Sequence, residues 1–485
     1  MTELFGTDGI RGTVGEWPLV PEFFLEVGKS AGRILVSDNK NANIIVGRDT
    51  RSSGPMLQSA LISGLMASGV VVVDAEVIPT SGVSWLIKKM GAAAGAVISA
   101  SHNPVEQNGV KFFSADGQKL SPDTERKIER IALDEDRVEA EIRIPSWENG
   151  RATNGGILHE LYIQALLSEH GNRFLEGLKI ILDCANGAAS WIAPQVFDRA
   201  GARVIALNAS PTGENINVKC GSEHIRRYPT EMGALIQHYQ ADFGLAFDGD
   251  ADRVAFVDNT GKLIDGDYIL GLLARYLGGH GRLLANSVVT TTMRNAGLKT
   301  FVEVSGFKMF ETRVGDKYVV EKLVELKSQI DQPDQFGLGG EQSGHVILLN
   351  DEFATGDGIR TALYLMQAYL ESGYKNMGDF TASVNKTPQI IASAHVGSGP
   401  RIDRNDLDSL EEQIIDLTPG INRINLRYSG TEPIFRVMLE SDHASTEEDL
   451  AKIAYELCQD AQKTSGVNNG KIDILNCTRG GLISL

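Results

Sequence analysis

The chain has 485 residues, 42% of them hydrophobic and 22% charged, and a formal net charge of -17. That is enough length for several compact domains, none of which needs a disulfide or a metal staple to be stable. The acidic balance argues against general nucleic-acid binding, which wants a basic surface, but a small anionic substrate needs only a few local Arg, Lys or N–H groups.

The stretch Met1–Gly12 has neither a basic start nor an apolar centre, so it does not read as a signal peptide. Within it, Gly6-Thr7-Asp8-Gly9-Ile10-Arg11-Gly12 sets a cation in a Gly-rich loop, which alone is a plain loop with an exposed Arg11. Asn43–Val46, Val70–Val73 and Ala94–Ile98 are Val-, Ile- and Ala-rich runs that predict buried strands, with a helix over Leu57–Ser68. The third strand empties into Ser99-Ala-Ser101-His102-Asn103-Pro104. A serine at a strand end in a tight polar loop is a candidate nucleophile or phosphate carrier, although Ser, Asn and Pro also make ordinary turns. A Ser101–His102 dyad is a further option, but adjacent side chains seldom point at each other. Lys111 follows among apolar neighbours, which would either desolvate it into a base or let it snorkel to water.

Lys179–Asp183, Arg203–Leu207 and Phe243–Phe247 predict the next strands, and the last runs into Asp248-Gly-Asp250-Ala-Asp252-Arg253 ahead of apolar Val254–Val257. Carboxylates at alternate positions can converge on one hard cation, and oxygen ligands of this kind suit Mg²⁺. A solvated acidic turn is the plain alternative. A calcium EF-hand fails on the residues, because Arg253 stands where that loop needs Gly and Asn259 where it needs Glu. Ser287–Thr291, Phe301–Val304 and Gly337–Gly339 predict further strands, the last opening into Gly339-Gly-Glu341-Gln342-Ser343-Gly-His345. Glu341 and Ser343 suit sugar hydroxyls and His345 suits a proton shuttle, with a surface turn as the alternative.

In each of these three parts, the last strand ends in the most polar, Gly-rich loop. Open α/β sheets place ligands outside the carboxyl ends of their strands, so three such loops facing one cleft would compose a single site. A different rhythm sets in near Asn376–Thr381. It predicts strands at Gln389–His395, Asn422–Tyr428 and Phe435–Glu440, and helices around Leu407–Ile415 and over Thr446–Lys463. This part holds Arg427-Tyr-Ser429-Gly430-Thr431-Glu-Pro-Ile-Phe-Arg436, whose hydroxyls, Gly backbone and arginines make a phosphate nest or a capped turn. The Gly- and Asn-rich segment after Ser465 has no evident role. The expected fold class is α/β with four domains: three similar α/β units with mixed sheets plus a smaller C-terminal α+β domain, around a central cleft. The expected bounds are 1–152, 153–257, 258–376 and 377–485. Cys184, Cys220, Cys458 and Cys477 form no C-x-x-C pair, as in a reducing cytosol. No apolar run approaches the roughly 20 residues of a membrane span, so a cytoplasmic location without membrane partners is expected.

In this order and spacing, Gly6–Gly12, Ser99–Pro104, Asp248–Arg253, Gly339–His345 and Arg427–Arg436 closely resemble the α-D-phosphohexomutase superfamily over residues 1 to 463. Phe5–Gly12, Val314-Gly-Asp-Lys-Tyr-Val319, Thr355-Gly-Asp-Gly358 and Gln342 make the chain most similar to the bacterial branch that acts on glucosamine phosphates. Lys317, where that branch more often has Arg, and extra residues in the last domain and tail depart from it. The resemblance implies an isomerase that interconverts sugar 6- and 1-phosphates through a 1,6-bisphosphate and a phosphorylated Ser101. It implies Mg²⁺ held by that phosphate with Asp248, Asp250 and Asp252. Arg253 and Arg11 would attend the phosphoserine, Lys111 and His345 the hydroxyl proton, and Glu341 and Ser343 the sugar. Arg427, Ser429, Gly430, Thr431 and Arg436 would grip the idle phosphate. A preference for mannose or glucose phosphates, a magnesium phosphatase and a non-catalytic sugar-phosphate binder are the rival readings. The intact Ser101, Lys111 and aspartate set weigh against the last. A homodimer is compatible with all of these.

Overall fold

Ala94–Ile98 and Phe243–Phe247 are apolar and buried at every position, the pattern of strands covered on both faces by helices. The computed structural model describes residues 4–6, 8–36, 42–133, 151–330, 332, 334–397, 399–429, 433–442, 445–468 and 470–485. Its first sheet takes β1 (Ile10–Thr13), β2 (Asn43–Arg48), β3 (Val71–Val77), β4 (Ala94–Ile98), β5 (Gln107–Ser114) and β6 (Ala152–Asn154), in the order β1-β5-β4-β2-β3-β6. The second takes β7 (Lys179–Asp183), β8 (Arg203–Leu207), β9 (Phe243–Phe247), β10 (Val254–Val257) and β11 (Leu263–Ile264), in the order β11-β10-β9-β7-β8. The third takes β12 (Leu283–Thr291), β13 (Lys308–Thr312), β14 (Phe336–Gly340) and β15 (Val346–Leu349), in the order β13-β12-β14-β15.

The runs β5-β4-β2-β3, β10-β9-β7-β8 and β15-β14-β12-β13 are one topology three times. Each has three parallel strands followed by one that turns back antiparallel. The repetition therefore lives in strand order, with no residue repeat behind it. In every unit the turn-back is the polar loop: β4 to β5 through Ser99–Pro104, β9 to β10 through Asp248–Arg253, and β14 to β15 through Glu341–His345. Equivalent carboxyl strand ends are where open α/β sheets gather their ligands.

One predicted strand is wrong. Phe301–Val304 is the end of a helix, Ala296–Val304, capped by the Asn295 side chain, which accepts from the Gly297 N–H. The strand comes afterwards, as β13. Leu298 and Val302 are the buried apolar residues, a spacing of four that a short window of Phe and Val conceals.

A continuous apolar core joins the first three units, from Ile45, Val83 and Phe113 through Phe247 and Phe256 to Leu338 and Tyr364, and reaches Met377 beyond them. The fourth unit has its own core, including Ile390, Val437, Leu439 and Leu450. It is an antiparallel sheet of β16 (Gln389–His395), β17 (Ile421–Tyr428), β18 (Ile434–Ser441) and β19 (Ile472–Asn476), in the order β17-β18-β16-β19. Helices Arg404–Leu417 and Glu447–Thr464 accompany it, the second started by a capping box between Thr446 and Asp449. β19 gives the unassigned tail a place, as an edge strand on β16. Among the described residues no helix is long and apolar enough to cross a membrane. All four cysteines are buried and unpaired.

Candidate active site

Ser101 leaves β4 with φ of +52°, in the left-handed region that residues with a Cβ seldom occupy. It is 1% exposed. Its Oγ donates to Asp248 Oδ2 at 2.6 Å, and its N–H donates to Ser99 Oγ at 2.9 Å. His102 Nδ1 lies 3.3 Å from Ser101 Oγ, so these adjacent side chains do meet. Burial, with Arg253 beside it, pushes the His102 ring down to about 3, so it is neutral. The second unit approaches closely here. A Cβ on Gly249 would come within 2.4 Å of the Ser101 carbonyl oxygen, which is why the aspartate loop needs glycine at that position.

Asp248, Asp250 and Asp252 are all buried, which rules out a solvated turn, and each offers an oxygen within 4.8 Å of the others. Asp250 Oδ2 accepts from Lys111 Nζ at 2.8 Å and from Thr80 Oγ1 at 2.7 Å. Asp250 Oδ1 and Asp252 Oδ1 are buried without a hydrogen-bond partner. Burial, then the charges of Asp252 and Asp250, hold Asp248 well above the usual carboxylate range. A crowded buried triad with bare oxygens offers hard ligands on one spot, and a hard divalent cation fits it.

Cations ring the triad. The expectation of a lysine tuned down by desolvation is corrected at Lys111. Burial does push its amine down, but Asp250, Asp8 and Asp252 outweigh burial and hold it charged. Its Nζ lies 3.4 Å from Asp8 and 3.7 Å from Asp252. Asp8 also pairs with Arg11, and with Lys119 at 2.6 Å. Arg253 Nε stands 3.9 Å from Asp248 and 3.8 Å from Asp252, and its Nη1 stands 3.4 Å from Glu223. His345 bridges Asp252 at 3.5 Å and Asp316 at 3.6 Å. Burial would lower its pKa, but Asp252 and Asp316 raise it.

The third loop is stitched to the second unit. The Val254 N–H donates to the Gly344 carbonyl at 3.1 Å, and a Cβ on Gly344 (φ +93°) would strike the Val254 oxygen at 2.2 Å. Glu341 Oε1 accepts from the Gly315 N–H at 3.1 Å, and Ser343 Oγ is buried without a partner. Gln342 is a tie rather than a contact of the triad. Its Nε2 donates to Asp267 Oδ2 and to Gln389 Oε1, both at 2.7 Å, joining the third unit to the fourth.

In the fourth unit, Arg427 and Arg436 face each other across β17 and β18. Burial and then Arg436 lower the Arg427 pKa, while Glu341 of the third loop acts in the opposite sense. Arg427 Nε is buried without a partner. Two like charges opposed across a ladder, one with a bare N–H, are relieved by an anion. Ser429 is buried beside them, its N–H donating to the Ile434 carbonyl at 2.8 Å. Gly430 and Thr431, like Thr7, lie outside the described residues.

Ser101, the three aspartates, Lys111, Arg11, Arg253 and His345 thus form one cluster, with Glu341 linking it electrostatically to Arg427. Sequence reasoning passed over Asp8, Glu223 and Asp316, which hold the cations, Lys119, a further cation paired with Asp8 and Asp316, and Asp49, Arg51 and Asn217, which hold the serine loop. Asp8 and Asp316 sit inside motifs already quoted. Arg48-Asp49-Thr50-Arg51 is a charged run at a strand end, a readable signal.

Models of one family, described as phosphoglucomutase/phosphomannomutase alpha/beta/alpha domains I, II and III, match residues 2–139, 160–261 and 265–387. The phosphoglucosamine mutase of Pelotomaculum thermopropionicum is 42% identical over 442 residues, covering 91% of this chain and 95% of that protein. A solved phosphoglucomutase/phosphomannomutase family protein from Burkholderia thailandensis is similar with a TM-score of 0.75 at 22% identity, over 96% of this chain and 98% of that one. The N-acetylphosphoglucosamine mutase of Aspergillus fumigatus, solved with GlcNAc-6P and magnesium, is similar with a TM-score of 0.62 at 17% identity, over 95% and 96%.

Proposed function

Because the chain belongs to the phosphoglucomutase/phosphomannomutase family, the α-D-phosphohexomutases, we propose that it interconverts glucosamine 6-phosphate and glucosamine 1-phosphate through Ser101. It is an isomerase that moves phosphate within one sugar. The choice of glucosamine follows the name borne by the relative at 42% identity. The observation that carries the reading is the Ser101 Oγ, buried at a strand end and 2.6 Å from an aspartate of a triad with bare oxygens.

In this reading phosphoserine 101 gives its phosphoryl group to the free sugar oxygen. A P–O bond forms to the sugar as the one to Ser101 breaks, and the 1,6-bisphosphate turns in the cleft and returns its other phosphate. Phosphoryl transfer asks for positioning and charge neutralisation more than for covalent chemistry. Arg11, Arg253 and Lys111 supply positive charge around the serine, Lys111 as an ammonium held charged by Asp250, Asp8 and Asp252, and we assign the hydroxyl proton transfers to His345. Mg²⁺, held by Asp248, Asp250, Asp252 and the serine phosphate, supplies charge neutralisation when bound. Glu341 and Ser343 take sugar hydroxyls. Arg427 and Arg436, with Ser429, Gly430 and Thr431, take whichever phosphate is idle. We assign the four units to residues 1–152, 153–257, 258–376 and 377–485.

The test is a side-by-side ³¹P NMR assay with the 6-phosphates of glucosamine, mannose and glucose. The expected result is conversion to the 1-phosphates with the highest kcat/KM for glucosamine and no inorganic phosphate. A higher value for mannose or glucose would move the enzyme to another branch of the family. Phosphate release at the rate of substrate loss would make it a phosphatase.

A further inference from the structure

Ser101 sits in a backbone conformation that it would not hold unaided, and a side chain outside the reacting cluster accounts for it. Arg51 is 0% exposed and follows β2. Its Nε donates to Asp49 Oδ2 at 2.9 Å. Its Nη2 donates to the carbonyls of Ser101 at 2.9 Å and Asn103 at 2.8 Å. Its Nη1 donates to the Gln107 carbonyl at 3.0 Å and to the Pro104 carbonyl. The five N–H groups of a guanidinium are thereby all engaged, mostly by one turn of main chain. Asp49 closes the ring. Its Oδ2 accepts from Ser99 Oγ at 2.8 Å, and that hydroxyl accepts the Ser101 N–H. Both sides of residue 101 are thus tied to a single buried ion pair. The second unit adds Asn217, whose Nδ2 donates to the carbonyls of Ser101 at 2.8 Å and Asn103 at 3.1 Å.

We propose that Arg51 and Asn217 are positioning residues for phosphoryl transfer, fixing Ser101 in its left-handed conformation so that its Oγ faces the aspartate triad. The inference rests on the phosphoserine reading above. Its physical basis is an accounting of polar groups. Carbonyls turned into a protein interior must be paired. With Arg51 and Asn217 in place the Ser101 carbonyl is satisfied pointing inward, and the strained φ is over-determined by its surroundings. Without them the carbonyl seeks another partner, the residue relaxes to negative φ, and the Cα–Cβ bond swings away from the aspartates. A lysine cannot substitute for Arg51, because a single ammonium does not span four carbonyls in fixed directions. Asn217 belongs to the unit that carries the aspartates, so the serine is positioned from both sides of the junction it serves.

The experiment uses full-length, dephosphorylated Arg51→Lys and Asn217→Ala proteins beside wild type. Intact mass follows Ser101 phosphorylation by glucose 1,6-bisphosphate, and steady-state assays give kcat and KM. Thermal unfolding and magnesium titration report on the fold and the triad. The expected result is a folded protein with wild-type magnesium affinity and KM within about twofold. Serine phosphorylation and kcat should each fall about tenfold or more, in line with the cost of a misplaced reacting group. A purely structural role would lower the unfolding temperature and leave those rates intact. Asn217 is only partly buried, so its variant carries the test if Arg51→Lys does not fold. Wild-type phosphorylation rates in folded Asn217→Ala would overturn the proposal. If wild type itself takes no phosphate on Ser101, the phosphoserine reading falls first and this inference with it.

Discussion

Asp248, Asp250 and Asp252 carry three potential negative charges into a buried space, and their neighbours set what each can do. Lys111 satisfies one oxygen of Asp250, His345 and Lys111 hold Asp252 low despite burial, and Asp248 is left high. A cation at the bare oxygens should remove that repulsion. Magnesium should therefore raise the unfolding temperature of wild type and not of Asp248→Ala, and EDTA should abolish turnover until magnesium is restored. Turnover that survives thorough chelation would contradict the assignment. Ser101→Ala should fold normally and lose nearly all mutase activity, measured by the ³¹P assay. Arg427 touches no reacting atom in this scheme. A charged hydrogen bond contributes about 1.5–3 kcal/mol. Arg427→Ala should then cost roughly 10- to 150-fold in kcat/KM for both directions. Both values unchanged would return that loop to a capped turn. The candidate residues were legible in combination: Asp-Gly-Asp-Ala-Asp reads locally as a metal-ligand pattern, but Ser-His-Asn-Pro alone reads equally as a turn, and only the five motifs in order point to one chemistry. Lys111 was misread because its apolar neighbours in sequence are adjacent in β5. Its partners Asp8 and Asp250 come from elsewhere, and only the fold brings them near.

The loops between the third and fourth strands of each unit explain why chemistry recurs at three separate places along the chain. Their strands were readable from unbroken apolar runs such as Phe243–Phe247. The common strand order was not, since pairing is a long-range property. Phe301–Val304 failed because four residues cannot separate a helix end from a strand. Gln342 shows an element acting through its back side. Its amide joins Asp267 to Gln389, so the Glu341–His345 loop is seated on the start of the fourth unit. Gln342→Ala removes one buried donor from Asp267 Oδ2, which keeps Asn295 and Lys386, and one from Gln389 Oε1, which keeps Asn295 alone, and should cost about 1–3 kcal/mol of stability, read by denaturant unfolding. If Glu341 and Ser343 take the sugar hydroxyls as proposed, the loss should also raise KM. An unchanged unfolding midpoint would show that the tie is replaced by water.

Three units share one apolar core, which also takes in Met377, Phe380 and Val384 at the start of the fourth, while the sheet of the fourth keeps a separate core and meets them through polar groups as well. Lys386 on Asp265 at 2.6 Å and the Ala296 N–H on Glu440 at 2.6 Å are such contacts. Beyond β19, the tail reaches the second unit, where the Gly481 N–H donates to the Arg226 carbonyl at 2.9 Å. Composition left this tail without a role because Gly- and Asn-rich sequence does not announce a docking partner. Ending the chain after Thr478 removes two hydrogen bonds to earlier units, Gly481 N–H to the Arg226 carbonyl and Leu263 N–H to the Arg479 carbonyl, and should loosen the fourth unit by roughly 1–3 kcal/mol. Release of free 1,6-bisphosphate during turnover should rise accordingly, with Ser101 phosphorylation unchanged. Equal release from both proteins would leave the tail without influence on the idle phosphate. The central claim is that the phosphate on Ser101 is the one transferred. Protein labelled with ³²P on Ser101 should be mixed with one equivalent of unlabelled glucosamine 6-phosphate and quenched within a single turnover. Label should leave Ser101 and appear in glucosamine 1,6-bisphosphate and the sugar monophosphates. Label that stays on Ser101 while product accumulates would contradict it.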